Sequence, residues 1–252
     1  MTHDDASSNV SPPKRLARLA GLLYLVPTFL GPFSLMYVPS VLVVPNDATA
    51  TASRVLGSEA LLRLGVLSDV LIVLSELALT AALYALLAPA GRVLARTAAY
   101  ARVAMAVLQA VNVLPSLAAL GLAESSIAER SELVLLLFET RALGEHVWVS
   151  VFALHCALVS VLVARSGYLP RVLGFGMGLA SIGYAASGLG NLVAPDYAPL
   201  FEVIVAITAI VGEVPFVVWL VWRGVDAARA DADHCTQSST ARTANDPEPR
   251  YG

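Results

Sequence analysis

The stretch Ala60-Leu-Leu-Arg63-Leu-Gly-Val-Leu-Ser-Asp69-Val-Leu-Ile-Val-Leu-Ser-Glu76-Leu-Ala-Leu-Thr-Ala-Ala-Leu-Tyr-Ala-Leu-Leu87 decides the fold class. A helix rises ~1.5 Å per residue, so about 20 apolar residues cross the ~30 Å hydrocarbon core of a bilayer. This run is long enough to span, yet it carries Asp69 and Glu76 seven residues apart, which sets both on one face ~10 Å apart along the axis. Five further stretches have the same character: Leu16 to Val38, Val93 to Leu122, Val147 to Ala164, Val172 to Val193 and Leu200 to Trp222. The expectation is an all-α, polytopic membrane protein, a bundle of about six transmembrane helices. Pro27, Pro32, Pro115 and Pro215 fall inside these runs and are read as kinks rather than breaks.

Composition agrees with that reading. The chain of 252 residues is 57% hydrophobic and 14% charged, with net charge -3, too little charge to cover a water-soluble surface. Its mean hydropathy is +0.72. Without a basic excess or a basic aromatic patch, nucleic acid is excluded as a partner. The expected surroundings are membrane lipid, with a hydrophobic small molecule as candidate substrate; oligomeric state is left open. Cys156 and Cys235 lie in an apolar run and a polar tail, unlike a disulfide framework. Lys14, Arg15 and Arg18 cluster at the start of the first run as in a signal peptide, but the run continues without a small-residue cleavage site and reads as a retained span.

Lys and Arg beside the spans set the orientation. Lys14, Arg15, Arg18, Arg92, Arg96, Arg165, Arg171, Arg223, Arg229, Arg242 and Arg250 fall on one side, against Arg54, Arg130 and Arg141 on the other. The positive-inside rule then puts both termini in the cytoplasm, in a bacterial inner membrane. Residues 1–13 and 226–252, rich in Ser, Thr, Asp, Pro and Ala, read as disordered tails flanking a transmembrane bundle over 14–225. Trp148, Trp219, Trp222, Tyr168 and Tyr197 are expected at the interfaces. Asn46-Asp47 can cap a short helix from Ala48 to Gly57, and Glu124 to Arg141 reads as a surface-lying or re-entrant segment; either could be a lid or a connection tucked over the bundle.

Ionisable side chains at membrane depth are costly and point to a site. Asp69, Glu76, Glu213, Arg102 and His155 are the candidates for proton donation or relay, while Glu59 and Arg63 form an i, i+4 pair near a helix end. Counting rises from the helix ends puts Glu76, Arg102 and Glu213 at one level, where Arg102 can fork between two carboxylates. Asp69 is expected further out, within reach of Gln109 or Asn112 and near the depth of His155. Gln109, Asn112 and Tyr184 are the candidate substrate-binding residues. Three carboxyls against Arg102 leave a formal excess that a low-dielectric bundle does not keep, so one group is expected to hold a proton. An ion-pair network that only fixes packing is the competing reading.

Gly174, Gly176, Gly178, Gly183, Gly188 and Gly190 give the fifth span a smooth face for helix packing. The Arg165–Arg171 turn suits a lipid phosphate or simple anchoring. His146 lacks a second ligand at helical spacing, and no nucleotide-binding loop, hydrolase elbow or zinc motif occurs; neither metal nor cofactor is expected.

Several motifs also resemble those of an uncharacterised bacterial family, domain of unknown function 4386. They are Lys14-Arg-Leu-Ala-Arg18-Leu-Ala-Gly21-Leu-Leu-Tyr24, Ser58-Glu59 with Arg63-Leu-Gly65 and Asp69, Arg165-Ser-Gly-Tyr-Leu-Pro-Arg171-Val-Leu-Gly174, and Gly212-Glu213 with Trp219. The resemblance covers about Leu16 to Val225 and implies a multi-pass membrane protein without supplying a reaction. Glu76 departs from it, since the family pattern more often has Asp there. Two function classes follow: a membrane enzyme using a buried acid on an isoprenoid or lipid-like substrate, comparable to membrane terpene cyclases by architecture alone, or a small proton-coupled transporter. A non-catalytic subunit with a structural polar network is the third. The enzyme reading expects a blind cavity beside the carboxyls, opening beneath Glu124 to Arg141.

Overall fold

The computed structural model describes residues 12–225; the expected tails lie outside that range except for Pro12 and Pro13, which form the first turn of α1 rather than the end of a disordered tail. Its elements are α1 (Pro12–Gly31), a π-helical stretch (Pro32–Tyr37), α2 (Val38–Leu42), α3 (Ala48–Gly57), α4 (Glu59–Leu87), α5 (Arg92–Ala123), α6 (Arg130–Ser166), α7 (Arg171–Val193) and α8 (Ala198–Trp222). Among the described residues, six helical stretches are long and apolar enough to cross a membrane: Pro13–Leu42, Glu59–Ala90, Arg92–Ala123, Arg130–Ser166, Arg171–Val193 and Pro195–Trp222. They pack as a closed ring, α1 on α4, α4 on α5, α5 on α6, α6 on α7, α7 on α8, and α8 back on α1. The outside is apolar, with Phe29, Val172, Ile182 and Ile210 projecting from it as a lipid-facing surface requires. Without water to drive collapse, packing and polar pairing inside the ring hold it together.

The start of α1 and the end of α8 lie at the same end, here called the base. A Cβ at Gly21 would meet the backbone nitrogen of Val221 at 2.7 Å, so the two helices touch main chain to main chain there. The larger apolar cluster includes Ala17, Leu79, Leu162, Met177, Phe216 and Leu220. A second cluster, around Val38, Leu42, Val55, Leu120, Val134 and Phe138, closes the opposite end.

Short-range expectations translate directly into structure. Asp47 caps α3, its Oδ1 accepting from the Ala50 N–H at 2.8 Å, and α3 buries Thr51, Ala52 and Val55. It is therefore a connection tucked over the bundle. Glu59 and Arg63 pair at 2.6 Å on the surface. The reading of Glu124 to Arg141 as a surface segment is corrected: α6 runs unbroken from Arg130, so most of that segment is the first third of a spanning helix. A helix of 37 residues exceeds the span minimum, and its charged first turns end the apolar run before the helix itself ends. Trp148 lies in the middle of α6, stacked on Phe152 with ring centroids 5.7 Å apart.

Glycines on α7 serve two neighbours rather than one face. Gly174 and Gly178 press on Ser160 of α6, whereas Gly176 meets Gly212 of α8. A Cβ at Gly176 would stand 3.2 Å from the Gly212 Cα, and one at Gly212 would fall on the Gly176 carbonyl. That crossing brings the residue after Gly212, Glu213, against α7.

Candidate functional site

Two groups of ionisable residues occupy the ring, and their surroundings differ. Toward the end opposite the base, Asp69 of α4 is 1% exposed and accepts through Oδ2 from Arg141 Nη2 at 2.8 Å. Arg141 also donates to Ser116 Oγ at 2.9 Å, to Glu145 Oε1 at 2.9 Å and to the Asn112 carbonyl at 3.4 Å. The guanidinium fork is thus shared among α4, α5 and α6, and it ties three spans at one point. The Asn112 side chain lies against Gly144, and neither Gln109 nor Asn112 hydrogen-bonds Asp69. Gln109 is buried with both side-chain polar atoms unpartnered.

Nearer the base, Glu76 Oε2 accepts from Arg102 Nε at 2.5 Å, with both residues buried. Arg102 Nη1 faces His155 Nε2 at 2.8 Å, and His155 Nδ1 lies 2.9 Å from the Ala98 carbonyl. Arg can only donate, so Nε2 is the acceptor and the imidazole is the neutral Nδ1–H tautomer, donating to Ala98. His155 therefore sits at the Arg102 level and not at that of Asp69. The guanidinium also lies over the Tyr24 ring at 4.7 Å.

Glu213 is held differently. Tyr24 Oη donates to Oε1 at 2.6 Å and Tyr184 Oη donates to Oε2 at 2.5 Å. Among the described residues no Lys, Arg or His pairs with it. Arg102 does not fork between two carboxylates: it takes Glu76, and Glu213 is left to two phenols from α1 and α7. The charge excess expected from sequence is moved accordingly. Of the three acids counted from sequence, Asp69 meets Arg141, which it shares with Glu145, Glu76 meets Arg102, and Glu213 is the one without a cation.

A cavity of about 480 Å³ opens onto this acid. Its lining includes Tyr24, Glu76, Met105, Trp148, Phe152, Tyr184 and Glu213, and it is overwhelmingly apolar apart from those carboxyls, the phenols and the indole N–H of Trp148. That N–H is buried without a partner. The mouth lies between α1 and α8, rimmed by Phe29 at 72% exposure and Ile210 at 64%, rather than beneath Glu124 to Arg141. Pro27 and Pro32 stand along it on α1, where Pro27 removes one backbone hydrogen bond and the π-helical stretch begins. The volume falls in the range of small-molecule sites.

Of the residues singled out from sequence, Glu76, Glu213 and Tyr184 line this cavity, Arg102 and His155 back it, and Asp69, Gln109 and Asn112 lie outside its lining. Tyr24, Trp148 and Phe152 were not singled out as site residues. Tyr24 had a signal, since a tyrosine in the middle of an apolar run has a hydroxyl that must find a partner within the protein.

Comparison with known families matches residues 19–224 to the domain of unknown function DUF4386. The chain belongs to that family, an assignment that covers the whole ring and carries no reaction with it. No curated protein and no solved structure matches the chain.

Proposed function

We propose that the protein is a bacterial inner-membrane enzyme that admits an apolar, lipid-borne substrate sideways between α1 and α8 and transfers a proton to it from Glu213. One observation carries this reading: an acid without a cationic partner faces a substrate-sized apolar cavity that is open toward lipid. A proton on either Glu213 oxygen reverses one phenol hydrogen bond, so Tyr24 or Tyr184 accepts while the carboxyl donates. On an isoprenoid, the alkene π pair takes that proton and forms a C–H bond, leaving a carbocation. A second alkene of the same molecule can close onto the cation, and loss of a C–H proton to the Glu213 carboxylate restores the acid and yields an isomer. The rings of Trp148, Phe152 and Tyr184 supply electron-rich faces for the cation.

The carrier reading gains less support. A carrier needs its site reachable from both ends of the bundle. Below Glu213, α1 and α8 are in main-chain contact at Gly21, and at the other end the Asp69–Arg141 pair bridges α4 and α6 beside a void of only about 10 Å³. Both termini are assigned to the cytoplasm, because Lys14, Arg15, Arg18, Arg92, Arg96, Arg165, Arg171 and Arg223 gather at the base. A carboxy-terminal fluorescent-protein fusion that stays dark would reverse that orientation.

The activity is tested with the full chain in lipid nanodiscs, in D2O, with an all-trans polyprenyl alcohol. Mass spectrometry is expected to find carbon-bound deuterium with the wild type and none with Glu213→Gln. Equal incorporation by both, or none by a wild type that binds the alcohol, overturns the proposal.

A further inference from the structure

Beyond turnover, the charge balance around the cavity specifies what else can sit in it. Every charged or titratable group that faces it can be assigned. Glu76 of α4 is matched by Arg102 of α5 at 2.5 Å, His155 of α6 accepts from Arg102 and is neutral, and Tyr24 and Tyr184 present phenols to Glu213. The site as built carries one carboxyl more than it has cations. In a low-dielectric wall an unbalanced charge is expensive and attracts a counter-charge.

Aromatic faces provide the second half of the argument. Arg102 already sits 4.7 Å above Tyr24 and 5.9 Å from Phe152, so these rings hold a cation on the side away from the lipid. Trp148 stacks on Phe152, and Tyr184 meets Phe152 edge-on at 4.7 Å, and neither Trp148 nor Tyr184 has an intramolecular cation among the described residues. An aromatic box with a carboxylate beside it is the arrangement that recognises ammonium groups. The exposed apolar rim at Phe29, Ile210 and Val218 would hold a tail extending into the bilayer.

We propose that the cavity binds lipophilic organic cations, an ammonium head on an apolar tail, with Glu213 as counter-ion and the Trp148 and Tyr184 rings as its aromatic walls. The inference rests on the same cavity as the proton-transfer reading and deepens it, because the ammonium takes the place of the proton and mimics the cation that proton transfer would create. An anionic amphiphile is excluded by the same charge excess.

The test uses the full chain in nanodiscs and radiolabelled dodecyltrimethylammonium, competed with its uncharged isostere in which carbon replaces nitrogen. The ammonium is expected to bind about tenfold more tightly than the isostere. Glu213→Gln should abolish that preference, and Ile210→Trp, which narrows the mouth, should weaken both ligands. Equal affinity for ammonium and isostere in the wild type overturns the proposal, and so does a preference that survives in Glu213→Gln. Should Glu213→Gln fail to fold, the wild-type ratio still decides. Deuterium incorporation with no ammonium preference defeats this inference alone; the converse result defeats the catalytic reading alone.

Discussion

Asp69 and Glu213 are both acids inside a membrane bundle, but they solve the cost of burial in opposite ways. Asp69 is 1% exposed and meets a guanidinium that is itself bound to Ser116, Glu145 and the Asn112 carbonyl. The void beside it is no larger than about 10 Å³, room for one water at most. Glu213 is partly exposed, meets two neutral hydroxyls, and faces about 480 Å³ of apolar space. An acid whose charge is cancelled on the spot is committed to holding helices together. An acid whose charge is left over, next to room for a molecule, is available for chemistry. Depth in the membrane does not separate the two, and the identity of the partners does.

That contrast has measurable consequences. The largest is expected at the closed node. Arg141→Met strips Asp69 of its cation and should cost about 3–5 kcal/mol, the usual consequence of stranding a buried charge. Thermal unfolding in detergent reads the loss, and adding Asp69→Leu should recover most of it, because the double variant removes the fully buried charge and leaves only Glu145, 24% exposed, without its cation. A loss without recovery would mean that Arg141 acts through Ser116 and Glu145 instead. Next comes the helix crossing that positions Glu213. Gly212→Val forces a branched side chain onto the Gly176 carbonyl, and should destabilise by about 1–3 kcal/mol and disturb the Tyr184–Glu213 contact. The smallest effect on stability is expected from Glu213→Gln, within about 1 kcal/mol, since an amide can still engage both phenols. A collapse of Glu213→Gln comparable to that of Arg141→Met would erase the distinction between the two sites.

Much of this was legible in the sequence because membrane spans are written in runs of composition. The number of spans, the Asp47 cap and the Glu59–Arg63 pair each depend on residues close in the chain. Rise per residue also put Glu76 and Arg102 at one height, where they meet. The Asp69–Arg141 pair was hidden because α6 begins in a charged stretch, so Arg141 looked like a residue outside the membrane. Its i, i+4 partner Glu145 was the available clue, since such pairs neutralise charge on a helix that is about to enter lipid. The hold on Glu213 was hidden for another reason: it depends on how α1 and α7 are rotated around α8, and rotation is set by glycine contacts such as Gly176–Gly212 that composition does not order. The cavity belongs to the same category, being the space left where α1 and α8 part above their contact at Gly21.

The most direct measurement is carboxyl labelling from the lipid side. Dicyclohexylcarbodiimide partitions into bilayers and adds to a proton-bearing carboxyl to give a stable N-acylurea, which peptide mass spectrometry locates. With the full chain in nanodiscs, modification is expected at Glu213, with Asp69 and Glu76 unmodified because each is held by a guanidinium. Ile210→Trp at the mouth should slow it. Labelling of Asp69 in preference to Glu213, or of none of the three acids, would contradict the division between a closed structural node and an open reactive one.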